Sequence, residues 1–239
     1  MFKQYFKFIV RKLSRNRVYT VINIVGLSIA FSAAWLIYSH TSNEWNMDGY
    51  LKNRDNIYRV ITRYGDEDFW NCRTNTPFGP AAKRAFPEIV QVARYFQKDY
   101  RIKIKDDQDF TIEPKLAFVD PPFFDLFEIP VIQGKIDTTV FSWIVFTETS
   151  AKRYFNKENP IGKTVTIKDG INNRKKNIKC QVVAVIKDFP ANSTIQANII
   201  VDCRQGIPYF DAHRGNYSLY TYFHILPTAD LRAIEKKLP

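Results

Sequence analysis

Val18–Ser39 reads VYTVINIVGLSIAFSAAWLIYS, a run of 22 residues without a charge. A helix rises about 1.5 Å per residue, so the run extends about 33 Å and can cross a hydrocarbon core of roughly 30 Å. Apolar residues occupy every side of this helix rather than one stripe, which sets it apart from a surface helix of a soluble protein. A cleaved signal sequence has a shorter apolar core, roughly 7–15 residues. Ser32-Ala33-Ala34 supplies the small residues of a cleavage site, but Trp35-Leu36-Ile37-Tyr38 carries the apolar run past it. The sequence therefore predicts an uncleaved membrane anchor.

Upstream of the anchor, residues 1–17 carry six basic residues (Lys3, Lys7, Arg11, Lys12, Arg15 and Arg17) and no acid. The positive-inside rule keeps this end in the cytoplasm and exports the large C-terminal part. Phe2, Tyr5, Phe6, Ile9, Val10 and Leu13 share one helical face, so the leader reads as an amphipathic helix lying on an anionic membrane surface. The expected organisation is a basic leader helix over 1–17, a transmembrane helix over 18–43 and an exported domain over 44–239.

Within the span, Gly26, Ala30 and Ala34 form a ladder of small residues, with Asn23 on nearly the same face. Such a face lets a second helix approach closely, and an Asn in hydrocarbon favours a helix partner. The helix is expected to continue past the bilayer through Glu44 and Asp48. Four residues apart, these two acids would share a face at the exported membrane surface and couple the helix to the exported domain.

The composition of the rest suits a folded globule: 45% of the chain is hydrophobic and 15% aromatic. Six of the chain's net +11 charges sit in the leader, which leaves +5 for everything else. Acids and bases alternate there, as in Lys98-Asp99-Tyr100-Arg101, and no basic stripe suggests a nucleic-acid partner. Cys72, Cys180 and Cys203 match no metal spacing, and their odd number leaves at least one thiol unpaired. Buried free thiols are the simpler reading, although one disulfide is open in an oxidising compartment. His40, His213 and His224 have no ligand spacing with a Cys or an acid. Gly162-Lys163-Thr164 resembles the end of a phosphate-binding loop, but Lys157 stands where the first glycine belongs and a strand-like run follows. No G-x-S-x-G occurs. No catalytic, cofactor-binding or metal-binding residue is assigned.

Local patterns predict strands at 56–63, 89–96, 100–104, 110–112, 116–119, 142–146, 165–167, 178–186, 195–201 and 217–226. They predict helices at 80–86, 123–127, 148–155 (with Thr147 as cap) and 228–238. Asp106-Asp107 should make a turn, and residues 169–177 a polar loop. Helices interleave irregularly with strands, so the expected class is α+β: one N-terminal transmembrane helix, then a mixed domain of two lobes.

In order, several blocks form a recognisable series. They are Arg15-Asn16-Arg17 with Val21–Leu27, Glu44-Trp45-Asn46-Met47-Asp48, Ile57-Tyr58-Arg59-Val60, Pro87-Glu88-Ile89 with Arg94, and Phe123–Phe127. The strongest are Phe146–Phe155 followed by Asn159-Pro160-Ile161-Gly162-Lys163, and Val182–Pro190 with Asn192-Ser193. The series resembles the N-terminal half of MacB/FtsX-type ABC transporter permeases, with the first transmembrane helix and the MacB-like periplasmic core domain. The resemblance implies a bacterial inner-membrane permease and a cytoplasmic ABC ATPase as partner. It also implies a homo- or heterodimer of permease subunits and a periplasmic partner protein or substrate, with ATP hydrolysed elsewhere than on this chain. The sequence ends at Pro239 without the family's three further helices, so it is expected to be a fragment or a truncated product. The other functional classes left open are a single-pass, membrane-anchored periplasmic binding or sensory module, and an anchored exported enzyme.

Overall fold

The computed structural model describes residues 2–63, 70–105, 109–140, 142–168, 177–205 and 218–238. The Asp106-Asp107 turn, residues 169–176 of the polar loop, His213 and the side chains of Phe2 and Val10 lie outside the described residues. The chain divides into two compact units, residues 1–47 and 48–239.

The first unit holds α1 (Phe2–Arg15) and α2 (Arg17–Trp45). Asn16 breaks the helix between them at φ −112°, ψ 60°. The last carbonyls of α1 find partners across the break: Leu13 O accepts from Thr20 Oγ1 at 3.0 Å and Ser14 O from Arg17 Nε at 3.4 Å. α2 spans 29 residues, its most apolar window has a mean hydropathy of 2.0, and none of that window is buried. Asn46 N–H bonds Ser42 O and Met47 N–H bonds Glu44 O, which closes the helix at Trp45. The expected continuation through Asp48 does not form, because Asp48 has φ +54° and leaves the helical region.

The second unit is built on β1 (Ile57–Arg59), β2 (Thr62–Arg63), β3 (Trp70–Asn71), β4 (Ile89–Lys103), β5 (Thr111–Val119) and β6 (Val131–Gly134). It continues with β7 (Trp143–Thr147), β8 (Thr164–Lys168), β9 (Ile178–Ile186), β10 (Ile199–Asp202) and β11 (Tyr220–Ile225). Its helices are α3 (Phe78–Ala85), α4 (Phe123–Leu126), α5 (Glu148–Phe155) and α6 (Leu231–Lys237). The expected strand at 56–63 is split into β1 and β2. The expected pairs 89–96 with 100–104, and 110–112 with 116–119, are single strands, β4 and β5, whose pairing shifts register at Lys98/Tyr100. That shift hides each strand's continuity from a simple alternation pattern. β6 has no counterpart in the sequence reading: its four residues, which follow Pro130 and end at Gly134, are all exposed at the sheet's edge.

Nine strands form one sheet in the order β1-β11-β4-β5-β10-β7-β9-β6, and β8 bridges β4 and β9. Those bridges close β4-β5-β10-β7-β9-β8 into a six-stranded ring. Alternation decides what fills it. Tyr100 and Ile102, Leu116 and Phe118, Ile144 and Phe146, Val165 and Ile167, Cys180 and Val182, and Ile199 and Val201 meet in one apolar cluster. α5 closes onto that cluster with Ala151 and Phe155. The opposite parity (Ala117, Val119, Trp143, Val145, Ile200), joined by Ile186 beyond the register shift in β9, faces outward onto Phe123, Phe124 and Phe127 of the α4 segment and onto Ile195 and Ala197. β7 and β10 are therefore buried at every residue, which explains the apolar runs Trp143–Phe146 and Ile199–Val201. The β11 end of the sheet has its own cluster, where Ile89, Val92, Phe223 and Ile225 pack on Ala82 of α3 and Ile234 of α6. Residues 48–239 form one compact unit around three apolar clusters, and β4 contributes to all three, with Ile89 and Val92, Ala93 and Tyr95, and Tyr100 and Ile102.

Candidate functional site

Asp48 is the first residue of the second unit, and its side chain is the most heavily engaged group at the domain's root. Asp48 N–H donates to Asn192 O at 2.9 Å. Oδ1 accepts from Thr194 N at 2.8 Å and from Ser193 Oγ at 3.1 Å, and Oδ2 accepts from the Thr194 hydroxyl. Tyr50 OH lies 2.9 Å from Ser193 Oγ. Burial, with the neighbouring Asp48 charge, raises the Tyr50 phenol above its usual pKa, while the bond to Ser193 opposes the shift. The αL backbone of Asp48 is tolerated because a short acidic side chain can bond locally, and here it bonds a turn about 145 residues away. Asn192–Thr194 lies between β9 and β10, so the Asp48 carboxylate ties the start of the domain to the connection between two strands of the ring.

Two clefts flank this clamp. One, of about 230 Å³, is lined by Asp48, Leu51, Arg54, Arg59, Thr194 and Tyr222 among others. Burial pushes the Tyr222 phenol up to about 12, against the opposing charge of Arg59. The other, of about 340 Å³, has Ile129, Pro130, Phe189 and Pro190 as apolar wall and Lys52, Glu128 and Lys187 among its polar lining.

Deeper in the unit, three buried carboxylates are held by directed partners. Asp120 accepts from Arg94 N (2.9 Å), Nε (2.7 Å) and Nη2 (2.8 Å), and Arg94 Nη1 reaches Thr76 O at 3.0 Å. Cys203 Sγ donates to the same carboxylate at 2.8 Å. Fully buried Glu113 accepts from Arg153 Nη2 (2.7 Å), Asn198 Nδ2 (2.8 Å) and the Tyr154 hydroxyl. Asp202 pairs with Arg204, which also reaches Thr138 O and Val140 O. Each carboxylate fastens a loop or helix to a strand of the ring. Directed donors of this kind are what a buried carboxylate requires.

The three cysteines are free thiols. Burial, and the Asp202 charge, push Cys180 up to about 12, and burial with Asp120 raises Cys203 further. Both stay protonated and pack as small apolar groups. Gly162 leads into β8, not into a helix. Among the described residues, no group of three or more His, Cys, Asp or Glu is placed to hold a metal.

Of the residues singled out from sequence, Asn23, Gly26, Ala30 and Ala34 are all exposed on α2. Glu44 is exposed and, among the described residues, has no side-chain hydrogen bond or ion pair. Glu44 and Asp48 are separated by the end of the helix, so they do not share a helical face. Tyr50, Ser193 and Thr194 were not recognised as partners of Asp48. Asn192-Ser193 does close the last sequence block, the one local trace of the clamp. Arg94 belongs to the sequence series, whereas no local pattern marks Asp120 or Glu113, whose partners lie across the fold.

An apolar helix of membrane-spanning length is joined to a ring-bearing α+β domain. The chain belongs to the MacB-like periplasmic core domain family, whose profile matches residues 20–239. Solved structures share the fold. A domain described as part of a permease protein from Porphyromonas gingivalis has a TM-score of 0.60 at 17% identity, with 78% of this chain and 82% of that chain covered. The periplasmic region of MacB from Actinobacillus actinomycetemcomitans has a TM-score of 0.51 at 17% identity, covering 76% and 78%. The extracellular domain of the noncanonic ABC-type transporter YknZ from Gram-positive bacteria has a TM-score of 0.53 at 13% identity, covering 75% and 88%. Among curated proteins, none matches the chain in sequence. Family membership and the apolar helix together support a transporter-associated role for a membrane-anchored periplasmic domain.

Proposed function

We propose that this chain is the first membrane helix and periplasmic domain of an ABC-type export or mechanotransmission permease in a bacterial inner membrane. α1 stays in the cytoplasm, α2 crosses the bilayer, and residues 48–239 form the periplasmic part. ATP is hydrolysed by a cytoplasmic ABC ATPase, and permease subunits pair as a homo- or heterodimer. Asn23, Gly26, Ala30 and Ala34 give α2 a face for another helix. The domain moves a substrate or engages a periplasmic partner protein rather than performing chemistry.

The observation that supports coupling is the Asp48 clamp. Force along α2 enters the domain at Asp48, and its carboxylate passes that force to the turn between β9 and β10. Glu44 lies on the helix side of the same junction. Asp48→Ala removes charge-assisted hydrogen bonds worth roughly 1.5–3 kcal/mol. The membrane complex, purified from its native host through a tag on this chain, should contain an ABC ATPase. In that complex Asp48→Ala should leave the ATPase bound but lower transport or partner engagement per ATP hydrolysed. Purification without any ABC ATPase would sink the reading. Wild-type coupling in Asp48→Ala would remove the clamp from it.

A further inference from the structure

Four strands of the ring assemble a basic face that no run of the sequence displays. Where β8 pairs with β4 and β9, alternation turns Ile102, Ile167 and Cys180 into the ring. Their neighbours along each strand point outward in two rows. Ile112 of β5, Arg101 of β4 and Lys168 of β8 stand side by side in one row, and Lys103 of β4, Thr166 of β8 and Lys179 of β9 in the other. Neither row contains an acid. Among the described residues, Arg101, Lys168 and Lys179 have no carboxylate partner, although Asp99 and Asp109 are close in sequence; Lys105 and Lys163, by contrast, share Glu158.

Arg101 and Lys168 are directly opposite each other, a like-charge pair that weakens the pairing of β4 with β8. Phe110 lies 5.1 Å from Lys103 Nζ and 5.6 Å from Lys168 Nζ, measured to its ring centroid. An aromatic face positions an ammonium without cancelling its charge. The face therefore keeps a cross-strand repulsion that an incoming anion would relieve.

We propose that this face docks an acidic, extended polypeptide segment of a partner protein. Arg101 and Lys103 are two residues apart on β4, about 7 Å, and carboxylates at alternate residues of an extended segment repeat at the same spacing. Ile112 is 60% exposed in the same array and offers an apolar contact that a phosphate polymer would not use. A second copy of this chain is a poor occupant, because the sequence outside the leader carries net +5. A layer of lipid headgroups is a poor one by position. Asp48, where the chain enters the unit, is bonded to the turn beyond the far end of β9, and Lys179 stands about 23 Å of strand from Ile186 at that end. The proposal names the chemistry of a periplasmic partner, and rests on the reading above for that partner's compartment alone.

The test uses the full chain in phosphatidylcholine nanodiscs. The probe is a fluorescent peptide of alternating Glu and Thr, about ten residues long, followed by anisotropy. It should bind more tightly than a peptide of the same composition with all its Glu in one block, and a Gln-for-Glu version should not bind. Arg101→Gln with Lys168→Gln should weaken binding roughly fivefold. Lys83→Gln with Arg84→Gln on α3, the same loss of charge elsewhere, should leave it nearly unchanged. A photoreactive residue at Ile112 should cross-link to the peptide, and one at Ile132 on β6 should not. Lys168→Glu should weaken binding yet raise the urea midpoint of the 48–239 unit, because an opposite-charge pair replaces a like-charge one.

Equal weakening by the two double variants would overturn the proposal, since net charge alone would then be at work. Equal binding of the block peptide would overturn the extended segment. Cross-linking at Ile132 as strong as at Ile112 would move the contact off this face. Loss of the Ile112 cross-link when phosphatidylglycerol is added to the nanodiscs would assign the face to headgroups instead. Any of these results in a complex that contains an ABC ATPase defeats this proposal and leaves the permease reading intact. Peptide binding as expected, in a complex that lacks the ATPase, defeats the permease reading alone.

Discussion

Val18–Ser39 of α2 and Trp143–Phe146 of β7 are both largely apolar and uncharged, and the structure treats them in opposite ways. Trp143, Ile144, Val145 and Phe146 of β7 are fully buried, whereas Val18, Ile29 and Leu36 of α2 are 75%, 65% and 69% exposed. The strand is flanked by β10 and β9, and both of its faces meet side chains of the same chain. The helix has apolar residues on all sides and no element of its own unit to cover them. Apolar composition therefore says only that water must be excluded. Length and surroundings decide whether the chain does this itself or a bilayer does it.

Mutation separates the two most sharply at the ring. Trp143→Ala or Phe146→Ala should each cost about 3–5 kcal/mol, read as a lower urea midpoint for the 48–239 unit in detergent-solubilised protein. Leu27→Ala in α2 should leave that midpoint within about 0.5 kcal/mol. If Leu27→Ala shifted the midpoint as Phe146→Ala does, the two units would not be independently stabilised and the comparison would fail.

Glycines sharpen it next. Gly134 sits at φ +78°, and a Cβ there would overlap the Val183 carbonyl oxygen and lie 2.9 Å from Ile161 Cδ1. Gly134→Ala should cost about 3 kcal/mol, since strain and overlap add. Gly162 has φ +84° but open space around it. Gly162→Ala should therefore cost only about 1 kcal/mol, the left-handed backbone term alone. Equal costs at the two positions would show that the neighbours of Gly134 relax freely.

These contrasts mark what the sequence makes legible. Phe146–Phe155 and Val182–Pro190 stand out as blocks because they form β7-α5 and β9, adjacent parallel strands at the heart of the ring. The Thr147 cap is local chemistry, and its side chain accepts from Ser150 N as expected. The ring closure is not local. β8 joins β4 through Arg101–Lys103 and joins β9 through Ile178–Gln181, and no alternation pattern states which strand pairs with which. The clamp is half legible: Asp48 stands out as an acid just past the apolar span, but the helix ends at Trp45 and its partners lie in a turn far along the chain. Glu113 looked like one polar residue in a broken strand, because Arg153, Tyr154 and Asn198 reach it only after folding.

A smaller effect tests how the two best blocks are joined. Asp188 accepts from Thr149 N at 3.0 Å and from Thr149 Oγ1 at 2.6 Å, at the start of α5. Burial alone would raise this carboxyl, but the Thr149 hydrogen bonds outweigh it, and its pKa falls below the ordinary carboxylate value. A depressed pKa adds stability above the unfolded-state value, about 3.9, and that stability is lost as pH falls through the folded-state value. Asp188→Ala should cost about 1 kcal/mol at neutral pH. The gap to wild type should close as pH drops below about 4, measured by urea titration across pH. A gap independent of pH would mean that the carboxylate charge has no part in holding β9 to α5.

The smallest effect on the domain, and the sharpest on α2, is expected at Gly26. A Cβ there meets nothing within 4 Å, and the backbone is helical, so Gly26→Ala and Gly26→Leu are both free of strain within one chain. The urea midpoint of the 48–239 unit should stay within about 0.5 kcal/mol for either change. Close helix approach needs the missing side chain, however, because a leucine holds the second backbone away. Crosslinking between subunits in membranes should therefore fall for Gly26→Leu and much less for Gly26→Ala. Unchanged crosslinking in Gly26→Leu would mean that lipid alone covers the face made by Asn23, Gly26, Ala30 and Ala34. The exposed helix would then be a complete contrast to β7, a segment whose burial owes nothing to protein.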